Sequence, residues 1–122
     1  MSNFPIAGFQ FTPRLGSFMQ TSFTLNETGH LEALTRTWTE LFHKDFTGSV
    51  SVVLVDENGR QLWASREREY NVAGKCLGKH GRSDEWSDRV PQEVLSLVRG
   101  YVIVHQHAPE NRSVHLLMSE EA

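Results

Sequence analysis

Short runs of apolar and β-branched residues, separated by clusters of turn formers, punctuate this chain. The pattern predicts antiparallel strands joined by tight turns. Phe18 to Leu25 (FMQTSFTL) is rich in β-formers, and Asn26-Glu27-Thr28-Gly29 follows it as a turn, with Gly29 in the left-handed position. Val50 to Asp56 (VSVVLVD) and Gln61 to Ser65 (QLWAS) flank Asn58-Gly59, the strongest short hairpin signal in the chain. A two-residue turn there sets Glu57 opposite Arg60 and Leu54 opposite Trp63. Tyr101 to His107 (YVIVHQH) and Val114 to Met118 (VHLLM), separated by 108–113, predict a closing hairpin.

Between these runs the pattern is weaker. In His30 to Phe42, Leu31, Leu34, Trp38, Leu41 and Phe42 fall on one helical face, whereas Thr35, Thr37 and Thr39 alternate as in a strand. The preceding hairpin-type turn favours the strand. Residues 1–17, with Pro5, Pro13, Gly8 and Gly16, read as an irregular arm or short edge strand whose Phe9 and Phe11 dock on the body. Residues 66–89 lose periodicity and read as one long loop. Pro91 opens a helix to about Arg99, with Val90, Val94, Leu97 and Val98 on its apolar face and Gly100 as its stop. The expected fold is therefore mostly β: one domain over 1–122, an antiparallel β-sandwich or open barrel of about six strands with one short helix before the last hairpin. A helical 30–42 would make it α+β.

Composition narrows the partners. The 122 residues are 39% hydrophobic and 22% charged, enough for one core and too apolar for disorder. A net charge of −3 argues against nucleic acid, which needs a basic footprint. No apolar run approaches the ~20 residues of a membrane span, and the N-terminus lacks the pattern of a signal peptide. The lone cysteine, Cys76, excludes an intrachain disulfide and fits a reducing compartment, so a cytoplasmic location is expected. Strand edges left open would let two copies pair into a homo-oligomer.

Two constellations could carry chemistry. Alternation places Tyr101, Ile103, His105 and His107 on one strand face. If the closing hairpin pairs so that residue numbers sum to 220, His115 lies opposite His105, and three imidazoles could hold a divalent transition metal such as zinc. A one-residue slip removes the arrangement. The bland alternative is that the histidines decorate a half-solvated strand face or hydrogen-bond within it; a third reading is metal-free, with one histidine acting as general acid or base beside Tyr101 or Glu110.

The second constellation is the 66–89 loop. Gly74 to Arg82 could cradle an anion, although it lacks the ending of a P-loop. Cys76 and His80 could pair as thiolate and imidazole, but no third group orients them. Asp84, Glu85 and Asp88 around an exposed Trp86 could serve calcium or a sugar, or could simply complement the start of the following helix. Trp38 and Trp63 read as core. The leading expectation is a binding module that takes a small molecule, glycan or protein through 66–89 and the adjacent sheet face, with Lys79, His80, Arg82, Asp84 and Trp86 as contacts. The alternative is a small enzyme, metal-dependent through His105, His107 and His115.

Overall fold

In the computed structural model, which describes residues 4–41, 44–74 and 81–107, the period-two stretches form eight strands and one helical turn. These are β1 (Ile6–Arg14), β2 (Ser17–Leu25), β3 (His30–Thr39), β4 (Phe46–Val55), β5 (Gln61–Ala64), β6 (Arg68–Val72), β7 (Gly81–Arg89), α1 (Gln92–Leu95) and β8 (Gly100–His107). One sheet runs β1-β2-β3-β7. The other is centred on β4, where Val53 pairs with both Ala64 and Val102, and Val50 with both Arg68 and His105. A strand has two edges, so β8 occupies one side of β4 while β5 and β6 follow one another along the other. The expected antiparallel β-sandwich is what forms. Among the described residues no helix is long and apolar enough to cross a membrane.

The ambiguous 30–42 segment forms the strand β3, with Leu31, Ala33, Thr35, Thr37 and Thr39 buried and Glu32, Leu34 and Arg36 exposed. Its neighbours decide this: β2 and β7 pair along its two sides, satisfying the backbone in an extended conformation. The preceding turn is held by Asn26 Oδ1, which accepts from the Thr28 and His30 amides at 3.1 and 3.0 Å. Gly29 closes it at φ +93°, and a Cβ there would run into the Val90 carbonyl oxygen. The residues facing inward from both sheets join one core, including Met19, Phe23, Leu31, Val52, Leu54 and Ile103.

Several expectations change. Of the two readings of residues 1–17, the strand is what forms: β1, paired with β2 from Ile6↔Leu25 to Arg14↔Ser17. Its turn, Leu15-Gly16, has both residues at positive φ, 51° and 91°, as a twisted two-residue hairpin requires. Leucine is an uncommon residue for that position, which hides the turn in the sequence. Phe9 and Phe11 do not dock in the core; they are 56% and 43% exposed.

At the Asn58-Gly59 hairpin, Leu54 does face Trp63, but a register shift follows and Glu57 does not face Arg60. Asp56 and Arg60 close the turn instead, joined by the Asp56 amide donating to the Arg60 carbonyl at 3.0 Å. Asp56 Oδ1 also accepts from the Asn58 and Arg60 amides at 2.8 and 2.9 Å, and these bonds hold its carboxyl below the usual range.

The long loop at 66–89 is largely β6 and β7. β7 looked aperiodic because, among the described residues, it ends its sheet, and its inward positions include Asp84 and Asp88, each paired with an arginine. The helix shortens to one turn, burying Leu95 and Val98 and leaving Leu97 54% exposed. The partner proposed for β8, Val114 to Met118, lies outside the described residues, and β8 pairs with β4.

Side chains bridge the sheets at both ends of the sandwich. At the β6/β7 end, the Arg68 guanidinium donates to both Asp88 oxygens at 3.0 and 3.3 Å and to the Ser87 carbonyl at 3.0 Å. It also lies over the Trp86 ring, 4.4 Å from the centroid. At the β1/β8 end, the Phe9 amide donates to the Tyr101 hydroxyl at 3.4 Å, and His105 reaches Thr12.

Candidate functional site

Two places on the sandwich combine accessible space with distinctive side chains. The first surrounds His105. Tyr101, Ile103 and His105 share one strand face, as expected; that face points inward, and Val102 and Gln106 on the other are exposed. The ring crosses the gap between the sheets, with Nδ1 2.8 Å from Thr12 Oγ1 and Nε2 2.8 Å from Thr21 Oγ1. Thr21 Oγ1 lies 2.9 Å from Thr35 Oγ1, which accepts from the Trp86 indole at 3.0 Å.

Donor and acceptor capacity orders this chain. Indole can only donate, so the Thr35 hydroxyl is free to donate to Thr21, Thr21 to His105 Nε2, and His105 Nδ1–H to Thr12. The reverse order would leave the Thr35 proton without one of these partners. Burial, by disfavouring the imidazolium, lowers the His105 pKa to about 4. A cavity of about 360 Å³, lined among others by Thr12, Arg14, Met19, Phe46 and His105, opens beside it. Chemically this is a neutral imidazole next to a hydroxyl, with both ring nitrogens engaged. Its low pKa makes it a weak base at neutral pH.

The second place is the outer face of the β1-β2-β3-β7 sheet. Cross-strand pairing sets Phe18 directly opposite Trp38, with Phe11 diagonal to Phe18 on the same face. Phe11 stacks on Phe18 at 6.1 Å and Phe18 on Trp38 at 5.1 Å, with interplanar angles of 12° and 19°. Arg36 lies over Trp38, 5.5 Å from the ring centroid. Trp38 is therefore an outer-face residue, contrary to its reading as core; Trp63 does pack against the core. Exposed Phe9 and Leu34 adjoin the row. Beside it lies a hollow of about 690 Å³, whose rim includes Ser22, Thr24, His30, Glu32, Leu34 and Glu85. His30 Nε2 sits 2.9 Å from Glu32 Oε2 there.

The residues expected to bind a ligand divide differently. Trp86 is only 8% exposed, because it points into the core and donates to Thr35. Arg82 pairs with Asp84 at 2.7 and 2.9 Å, donates to the Asn71 carbonyl at 3.2 Å and lies over Tyr70. The bond to Asp84 raises the arginine's pKa further, while burial and then the Asp84 charge raise that of the Tyr70 phenol. Lys79, His80 and His115 lie outside the described residues; His107 pairs with Gly48 at the end of β8. Among the described residues no group of three or more His, Cys, Asp or Glu could hold a metal.

Sequence reasoning missed the outer aromatic row. Its signal was present in the alternation of Phe9 and Phe11, but only the pairing with β2 and β3 shows which sheet face those rings join.

No family model matches the chain, and no curated protein matches it. Among solved structures it resembles the crystal structure of a DUF1425 family member from Shewanella sp. PV-4, at 16% identity and a TM-score of 0.47, covering 91% of this chain and 97% of that one.

Proposed function

We propose that the protein is a non-catalytic binding module that takes a protein partner on the outer face of the β1-β2-β3-β7 sheet. The observation that carries this reading is the exposed pair Phe9 and Phe11, continuous with the stacked Phe18 and Trp38. Contiguous exposed apolar surface with a polar rim is the usual mark of an interaction site. Arg36, Glu32 and Glu85 on the same face supply polar groups for orientation. A protein surface suits this row better than a glycan does. The rings spend their faces on one another, whereas a sugar needs a ring face on which to stack.

The test pans displayed peptides against the purified protein and maps the winners by NMR chemical shift. Peptides bearing aromatic or aliphatic anchors should perturb outward residues of β1, β2 and β3, and should bind a Phe11→Ser variant at least about tenfold more weakly. Perturbations confined to the β4 sheet would sink the reading, as would affinity unchanged by Phe11→Ser. Binding of a soluble glycan at Trp38 would replace the protein partner with a sugar.

A second reading, the metal-dependent enzyme with His105, His107 and His115, is favoured by one observation: a neutral imidazole beside a cavity, 2.8 Å from a hydroxyl. Metal at His105 would have to displace Thr12 or Thr21 from the ring. This reading expects near-stoichiometric metal in untagged protein, lost in a His105→Ala/His107→Ala variant. Failure to take up zinc, manganese, iron, nickel or copper would remove it.

A further inference from the structure

We infer that β1 is a self-association strand: two copies of this chain pair their β1 edges antiparallel about Phe9, fusing their β1-β2-β3-β7 sheets into one continuous sheet. Among the described residues β1 pairs with β2 alone. Two hydrogen bonds reveal which of its backbone groups point off the sheet. The Phe9 amide donates away from β2, to Tyr101 Oη, at a long 3.4 Å. The Phe11 carbonyl accepts from the side chain of Gln10, also at 3.4 Å. Backbone groups alternate along a strand, so the free edge is formed by Ala7, Phe9, Phe11 and Pro13. Pro13 has no N–H to offer there, and such an edge position is where a strand tolerates proline.

Edges are normally blunted by charge, yet no charged residue occurs from Ile6 to Pro13. What the strand carries instead is self-complementary. Pairing Phe9 with Phe9 of the second copy sets Ala7 against Phe11 and Gly8 against Gln10, a small residue facing a larger one on each sheet face. Pro5 and Pro13, each four residues from Phe9, then face one another at the two ends, so neither leaves a donor-bearing residue opposite it. Within that bracket Ala7, Phe9 and Phe11 exchange complete pairs of backbone bonds. The weak Phe9–Tyr101 contact is traded for one of these. Copies joined edge to edge lie side by side, so the pairing leaves both outer faces accessible and does not depend on what those faces bind.

Sedimentation velocity over a concentration series, joined to cysteine cross-linking, tests this. Wild type should form a dimer that Phe9→Lys weakens at least about tenfold, because two ammonium groups would then meet at the dyad. Phe9 is 56% exposed, so the substitution leaves the core untouched; an unchanged circular dichroism spectrum verifies it. In a Cys76→Ser background, Phe9→Cys should oxidise to a disulfide-linked dimer, since facing hydrogen-bonded residues bring their Cα atoms to about 5.5 Å. Phe11→Cys should not, its two copies standing roughly 13 Å apart. A monomer at every concentration overturns the proposal. So does a dimer that survives Phe9→Lys, or one that cross-links through Phe11→Cys and not through Phe9→Cys.

Discussion

His105 shows at the scale of one residue how burial and hydrogen bonding select a protonation state. Unfolded, its ring titrates near the ordinary histidine value of 6.5; folded, it titrates near 4, because burial disfavours the imidazolium. The unfolded chain therefore binds more protons between those values. The stabilisation from keeping the ring neutral is complete above about pH 6.5 and falls away as the pH drops towards 4. Partial solvent access reduces the effect to about 1–2 kcal/mol. Urea unfolding of wild type and His105→Gln at pH 7.5 and 4.5 checks this: wild type should lose that much more between the two conditions than the variant. Equal pH dependence would mean that the ring is not held neutral by the fold. The sequence placed His105 on the same strand face as Tyr101 and Ile103; that this face points inward comes from the second sheet packed over it. The sequence could not name Thr12 and Thr21 as partners, because both belong to the opposite sheet.

At the scale of the element, β7 illustrates why a polar segment can be a strand. Gly81 to Arg89 carries five charged residues and one apolar ring, which looks like a loop when read alone. Its backbone is satisfied by β3 along one side, and its inward Asp88 by the Arg68 fork, with arginine 13% and aspartate 24% exposed in their side chains. Arg68→Lys keeps the charge but loses the two-pronged geometry and the guanidinium's place over the Trp86 ring, and should cost about 1 kcal/mol. Arg68→Ala should cost about 2–3 kcal/mol, since it also leaves Asp88 half-buried without its cation. Denaturant titration reads both, and hydrogen exchange should quicken first in the outer amides of β7. If the lysine variant proved as damaging as alanine, charge would not be what the site requires.

Across the whole molecule, the chain of contacts from Trp86 through Thr35, Thr21 and His105 to Thr12 crosses from the β7 end of the sandwich to the β1 end. Thr35 and Thr21 each accept one hydrogen bond and donate the next, so loss of one member alters the satisfaction of its neighbour. Trp86→Phe, which keeps the ring but removes the donor, should cost about 1 kcal/mol. Combined with His105→Gln in a double-mutant cycle, it should show a coupling of at least about 0.5 kcal/mol despite the two side chains not touching. Strict additivity would reduce the chain to independent pairs.

The sequence by itself determined what depends on near neighbours. The β class follows from period-two patterning, and the Leu54–Trp63 pair from its position beside the Asn58-Gly59 turn. The grouping of Tyr101, Ile103 and His105 on one face of β8 follows from alternation. Tertiary structure decided what depends on partners distant in the chain. Nine residues of β2 decided between arm and edge strand in favour of β1, and β3 gave the polar 81–89 segment its ladder. An exposed-looking Trp86 became core because Thr35 accepts its proton and Arg68 covers its face. Alternation assigns a residue to one of two faces; only the packing of the second sheet says which face meets solvent, and so Phe9 and Phe11 lie outside while Thr21 and Thr35 lie within.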